Sequence, residues 1–112
     1  MITLYHNPRC SKSREALALL EARGVEFRVH RYLDDPLDIP ALRELAGRVD
    51  DPSALLRSNE AEWKALGQEA SDLETVIAAI AETPKLMQRP IADRGDRAII
   101  GRPPEAILAL LD

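Results

Sequence analysis

ITLYHNPRCSKSREALALLEARGVEFRVHRYL, the stretch from Ile2 to Leu33, changes its hydrophobic period twice. Ile2-Thr3-Leu4-Tyr5 reads as a short buried strand. Ser11 to Arg23 reads as a helix with Ala16, Leu17, Leu19 and Leu20 turned inward, and Gly24 is its stop signal. Val25 to Leu33 reads as a second strand in which Val25, Phe27 and Val29 alternate, and Asp34-Asp35-Pro36 closes it. Strand, helix and strand in so short a span form a βαβ unit, which is nearly always right-handed with parallel strands.

Beyond this unit the chain becomes acidic and helical. Leu42, Leu45, Ala46 and Val49 fall on one helical face, and Asp50-Asp51-Pro52-Ser53 breaks it and starts a short turn through Arg57. Glu60 to Leu66 is another short helix stopped by Gly67, and Leu73, Val76, Ile77 and Ile80 repeat the helical spacing until Thr83-Pro84. The acidic residues here read as solvated outer faces of amphipathic helices, with no catalytic work. From Pro90 the period changes again: Pro90–Asp93 and Arg97–Ile100 flank Arg94-Gly95 as a hairpin. Gly101-Arg102-Pro103-Pro104 then turns the chain into a last helix with Ile107, Leu108, Leu110 and Leu111 apolar. This is an α/β pattern. An N-terminal βαβ and a C-terminal ββα with an inserted helical segment match a thioredoxin-like mixed sheet of about four strands.

At 112 residues the chain is expected to be one domain, 1–112, burying roughly two thirds of its unfolded surface. Nothing resembles a signal peptide, and the longest apolar run, Val76 to Ala81, is too short to cross a membrane. A single cysteine forms no intramolecular disulfide and fits a reducing, cytoplasmic location. The net charge of −4 is unevenly spread: residues 1–14 carry +3, 33–82 carry −8 and 83–102 carry +3. A fold that joined the two basic segments would make a local anion site on an acidic protein. A pI near 5.2 and scattered basic residues argue against nucleic acid and for a small anion. No metal is expected, because His6 and His30 lie apart with one cysteine between them.

Cys10 stands at the mouth of the first helix. Backbone N–H groups and the positive end of the helix dipole favour thiolate there, and Arg9, Lys12 and Arg14 add cations in a segment, Met1 to Arg14, that holds no acidic residue. Free cysteine is often only a small buried hydrophobe, but Cys10 lies among polar residues rather than in an apolar run. It reads as a nucleophile with an anion as its guest.

His6-Asn7-Pro8-x-Cys10-x-x-Ser13-Arg14, Leu55-Leu56-Arg57, Arg89-Pro90-Ile91 and Gly101-Arg102-Pro103 occur in an order and spacing that resemble the ArsC-type family of glutaredoxin-dependent arsenate reductases, over nearly the whole chain. The resemblance implies attack of the Cys10 thiolate on arsenate, glutathione as co-substrate with no bound cofactor, and glutaredoxin as partner. It implies that Arg57, Arg89 and Arg102 bind the oxyanion, a task suited to the planar, permanently charged guanidinium. His6 resembles a histidine thought to lower the thiol pKa, and equally reads as a strand-end residue making a structural hydrogen bond. Ser13 and Arg14 would support the loop, although Arg14 also reads as an exposed helix charge. By analogy with thioredoxin-like folds, Pro90 is expected to be cis.

Two departures bear on function. The best-known arsenate reductases have small residues where this chain has Arg9, Ser11 and Lys12. Ser13 stands where dithiol oxidoreductases and many related regulators carry a second cysteine, so turnover needs an external thiol. Two alternatives to arsenate reduction stay open: thiol-dependent reduction of another oxyanion or a mixed disulfide, and a redox-responsive transcription regulator of the same fold that binds RNA polymerase.

Overall fold

In the computed structural model, which describes residues 1–67 and 72–111, β1 (Ile2–Tyr5) runs down the middle of the molecule and all four of its residues are buried. It pairs in parallel with β2 (Phe27–His30), Ile2 facing Phe27 and Tyr5 facing His30. On its other side it pairs antiparallel with β3 (Ile91–Asp93), which pairs antiparallel with β4 (Ala98–Ile100). The sheet order is β2-β1-β3-β4, a mixed sheet of the thioredoxin-like kind.

Side chains alternate across this sheet, so β1 and β3 serve two cores. Ile2, Leu4 and Ala92 pack with Ala16 and Leu20 of α1 (Ser11–Ala22) and with Ile107 and Leu110 of the C-terminal segment. Tyr5 and Ile91 pack on the opposite face with Leu42, Leu45 and Ala46 of α2 (Ile39–Ala46) and Val76, Ile77 and Ile80 of α4 (Leu73–Glu82). The short α3 (Ala61–Leu66) adds Trp63 to that second core. The helix ends follow from local chemistry. Asp38 accepts the Ala41 N–H at 2.9 Å to open α2, and Gly24 and Gly67 take positive φ after α1 and α3.

Two expectations need correction. β2 is shorter than Val25–Leu33, and Val29 is 43% exposed rather than inward, because β2 is an edge strand. The last helix is a 3-10 helix, Pro104–Leu111, not an α-helix. Its buried residues Pro104, Ile107 and Leu110 recur every third position, the period at which a 3-10 helix stacks one face. At the two breaks read from the sequence, Asp50–Ser53 and Thr83-Pro84, the chain forms single 3-10 turns, Pro52–Leu55 and Pro84–Leu86. Between them Leu56 and Met87 form an isolated antiparallel bridge, with Arg57 N–H donating to Leu86 O at 2.7 Å and Gln88 N–H to Leu55 O at 2.6 Å.

Candidate active site

Sheet direction gathers the site. β1 and β2 are parallel, so both carboxyl ends lie at one edge. β3 runs the other way and presents its start there, and β4 reverses again and presents its end. The turn carrying Cys10, the Arg31–Tyr32 segment, Arg89-Pro90 and Gly101-Arg102 therefore meet at the same edge, the usual location of ligand sites in parallel α/β sheets. The Leu56–Met87 bridge brings Arg57 to that edge beside Gln88. The Arg89–Pro90 bond is cis, as the fold analogy implies, and so is Arg102–Pro103, for which no sequence signal was read.

Cys10 caps α1 with extended backbone (φ −95°, ψ 122°), half-buried at the head of the helix. Its own N–H donates to Asn7 O at 3.0 Å, closing a tight turn, and the Arg9 N–H donates to Asn7 Oδ1 at 3.0 Å. Burial pushes the thiol up. The Ser13 N–H, the charge and an N–H of Arg89, and the Lys12 N–H outweigh it, so Cys10 ionises below its usual value. The N–H groups of the helix mouth and one arginine lower the thiol's pKa, the direction that its position in the sequence suggests.

The neighbouring residues hold that turn. Ser13 is fully buried; its Oγ accepts the Asn7 N–H at 3.0 Å and lies 2.6 Å from His6 Nδ1. Burial first, then the charges of Arg31 and Arg14, hold the His6 imidazole below its usual pKa. His6 Nδ1 and Ser13 Oγ share one short hydrogen bond within this buried turn. His6 contributes no cation to the thiol and makes the structural hydrogen bond. Arg14 Nη1 donates to Pro8 O at 2.9 Å, bracing the loop from the helix although the side chain is exposed.

The three arginines come together. Arg102 Nε donates to Arg89 O at 3.0 Å, and Arg57 and Arg102 share a cavity of about 170 Å³ with Leu56, Ser58, Asn59 and Gln88. Arg89 lies against Cys10, and its Nε and Nη1 are buried without a hydrogen-bond partner. A native protein rarely buries guanidinium N–H groups unpaired unless something outside the chain meets them. Arg57 differs: its Nη1 is 2.7 Å from Glu60 Oε1, and Glu60 also reaches Lys85 at 3.5 Å. That corrects the reading of every middle acid as a solvated face, because Glu60 is four-fifths buried and paired inside the site.

Tyr32 is a site residue that the sequence does not single out. It is 1% exposed, and its hydroxyl lies near the Asn7 side chain, Arg89, Cys10 and Arg102. Burial raises its phenol to about 12, so it stays protonated beside Cys10. Its signal was positional: it follows the strand parallel to β1, and so had to end at the edge where Cys10 ends. Among the described residues no group of three His, Cys, Asp or Glu could hold a metal ion, and no helix is long and apolar enough to cross a membrane.

The family model described as the ArsC family matches residues 5–110 of this chain. The chain belongs to the ArsC family. An uncharacterized protein, YfgD, of Escherichia coli K12 is 46% identical over 98% of this ArsC-family chain and 96% of its own length. An arsenate reductase of Haemophilus influenzae is 40% identical over 98% of each. The solved arsenate reductase of Vibrio cholerae superposes with a TM-score of 0.88 at 39% identity, covering 96% of this chain and 95% of its own. The ArsC segments named from the sequence, Cys10, Arg57, Arg89 and Arg102, are those the fold assembles at one edge.

Proposed function

We propose that this protein reduces arsenate to arsenite with Cys10 as nucleophile, glutathione as co-substrate and glutaredoxin as partner, acting as a single cytosolic domain. The observation that carries the reading is Arg89, whose buried, unpartnered N–H groups lie against a thiol whose pKa that same arginine lowers. A nucleophile beside unmet donors suits an oxyanion, and the relatives named arsenate reductase make arsenate the first substrate to try.

In this mechanism the Cys10 thiolate attacks arsenic and one arsenate oxygen leaves as water, giving a cysteinyl arsenate ester. Arg89 and Arg102, with Arg57 once it leaves Glu60, offset the oxyanion charge through paired N–H groups. Glutathione then bonds to arsenic with loss of a second water. The glutaredoxin thiolate attacks the glutathione sulfur, the sulfur–arsenic bond breaks, and arsenic keeps its electron pair. Arsenic(V) becomes arsenic(III), the two thiols become a mixed disulfide, and hydrolysis from Cys10 frees arsenite. Ser13 cannot supply a resolving thiol, so the external thiols are required. The same substitution weighs against the redox-regulator alternative, since Ser13 is committed to His6 and Asn7.

The test is arsenate-dependent NADPH oxidation with glutathione, glutathione reductase and glutaredoxin, with Cys10→Ser as control. Turnover that vanishes in the variant is expected. Arg89→Ala and Arg102→Ala should each remove contacts worth about 1.5–3 kcal/mol, a loss of roughly ten- to a hundredfold in kcat/KM. Absence of turnover from reduced, folded protein would move the function to another oxyanion, a mixed disulfide or polymerase binding.

A further inference from the structure

A second cavity opens beside the turn that carries Cys10, walled by Pro8 and Arg9 and by none of Arg57, Arg89 and Arg102. The sheet order sets the end of β2 on one side of the Cys10 turn and the β3 and β4 segments on the other. The arginine cavity belongs to the second side. On the first, a groove of about 220 Å³ is walled by His6, Pro8 and Arg9 of the Cys10 turn and by Arg31, Leu33 and Asp34 after β2. We propose that this groove binds the carboxylate-bearing arms of glutathione and so presents its sulfur to Cys10. The proposal deepens the function above and rests on its requirement for an external thiol.

Charge pattern supports it. Arg9 is exposed and has no ion pair among the described residues, and Arg31 is held only loosely, 3.7 Å from Asp34 with both side chains more than half exposed. Two available cations and one carboxylate mirror a ligand with two carboxylates and one ammonium around a central thiol. His6 is neutral, so the groove's positive charge comes from the two arginines alone. Pro8 and Leu33, both exposed, give apolar wall for the peptide's methylene groups. The volume is below the roughly 300–1,000 Å³ of a pocket that encloses a whole ligand. It suits one arm of a tripeptide whose sulfur stays outside, at the lip formed by Pro8 and Arg9.

The test uses the groove without arsenic. Reduced protein is mixed with glutathione disulfide or with the neutral hydroxyethyl disulfide, and the Cys10 adduct is followed by mass spectrometry. In each case the thiolate attacks one sulfur, a new S–S bond to Cys10 forms, the old one breaks, and a thiolate leaves. The ratio of the two rates reports recognition of glutathione independently of Cys10 reactivity. Arg9→Gln and Arg31→Gln should each lower that ratio roughly threefold and the double variant about tenfold, the scale of exposed charge pairs. Lys12→Gln, which removes a nearby charge outside the groove, should lower it less than either. An unchanged ratio in the double variant, or an equal fall in Lys12→Gln, overturns the groove. If the ratio falls as expected but arsenate is not turned over, the groove stands and the arsenate reading fails.

Discussion

Arg89 governs the reactivity of Cys10 more directly than the histidine four residues before the thiol. Its charge and N–H oppose the burial that would keep the thiol protonated, whereas neutral His6 supplies no charge. Arg89→Gln should therefore move the pH profile of Cys10 alkylation by iodoacetamide upward, and His6→Gln should move it less. Ser13 carries the structural counterpart. Ser13→Ala strands His6 Nδ1 and the Asn7 N–H in a buried site, a loss of about 1–3 kcal/mol measurable by urea denaturation. His6 also ties stability to pH. Its folded pKa lies below the usual 6.5, so the unfolded chain binds this proton at higher pH than the folded one. This contribution is complete above about 6.5 and is lost as the pH falls below it. Urea midpoints taken between about pH 7.5 and 5.5 should fall, and less steeply in His6→Gln. Both roles of His6 were open in the sequence; the hydrogen bond to Ser13, and the burial and two arginines distant in the chain that lower its pKa, come from the tertiary structure.

Short contacts between elements set the arginines. Gly101 ends β4 with its N–H donating to Pro90 O at 2.8 Å, and an added Cβ would meet Pro90 Cγ at 2.8 Å and Ile107 Cγ2 at 3.2 Å. Gly101→Ala must push Pro90 away and disturb Arg89 and Arg102 on either side. A loss of about 1–3 kcal/mol in stability is expected, with a larger proportional loss of arsenate turnover than of Cys10 alkylation. Glu60 acts at the same scale. It occupies Arg57 when no anion is present, so Glu60→Gln should lower the KM for arsenate a few-fold, roughly the effect of one partly exposed pair. The Gly-Arg-Pro and Arg-Pro-Ile runs were legible as motifs, but their mutual contact was not. The Leu56–Met87 bridge that delivers Arg57 has no sequence signal at all, because a single pair of residues has no period.

Across the whole molecule, one buried ion pair links α2's end to the hairpin. Arg48 grips Asp93 through Nε at 3.0 Å and Nη2 at 2.8 Å, while Asp93 also accepts the Gly95 N–H at 2.9 Å. The Asp93 side chain is only 6% exposed, so Arg48→Ala leaves a buried carboxylate without its cation and should cost about 3–5 kcal/mol. Thermal unfolding would show it as a lowered Tm, and Cys10 alkylation at a temperature where both proteins are folded should be unchanged. Apolar period and turn residues sufficed to determine the βαβ unit, the hairpin, the helices that cover the sheet and the cysteine at a helix mouth, because these depend on neighbours within a few positions. The 3-10 winding of the C-terminal segment, the exposure of Val29, the neutrality of His6, the place of Tyr32 and the meeting of Arg57, Arg89 and Arg102 were decided by the tertiary structure. They depend on which strand is the edge, on which strand ends share a side of the sheet, and on charges brought close across long spans of chain, none of which a local pattern encodes.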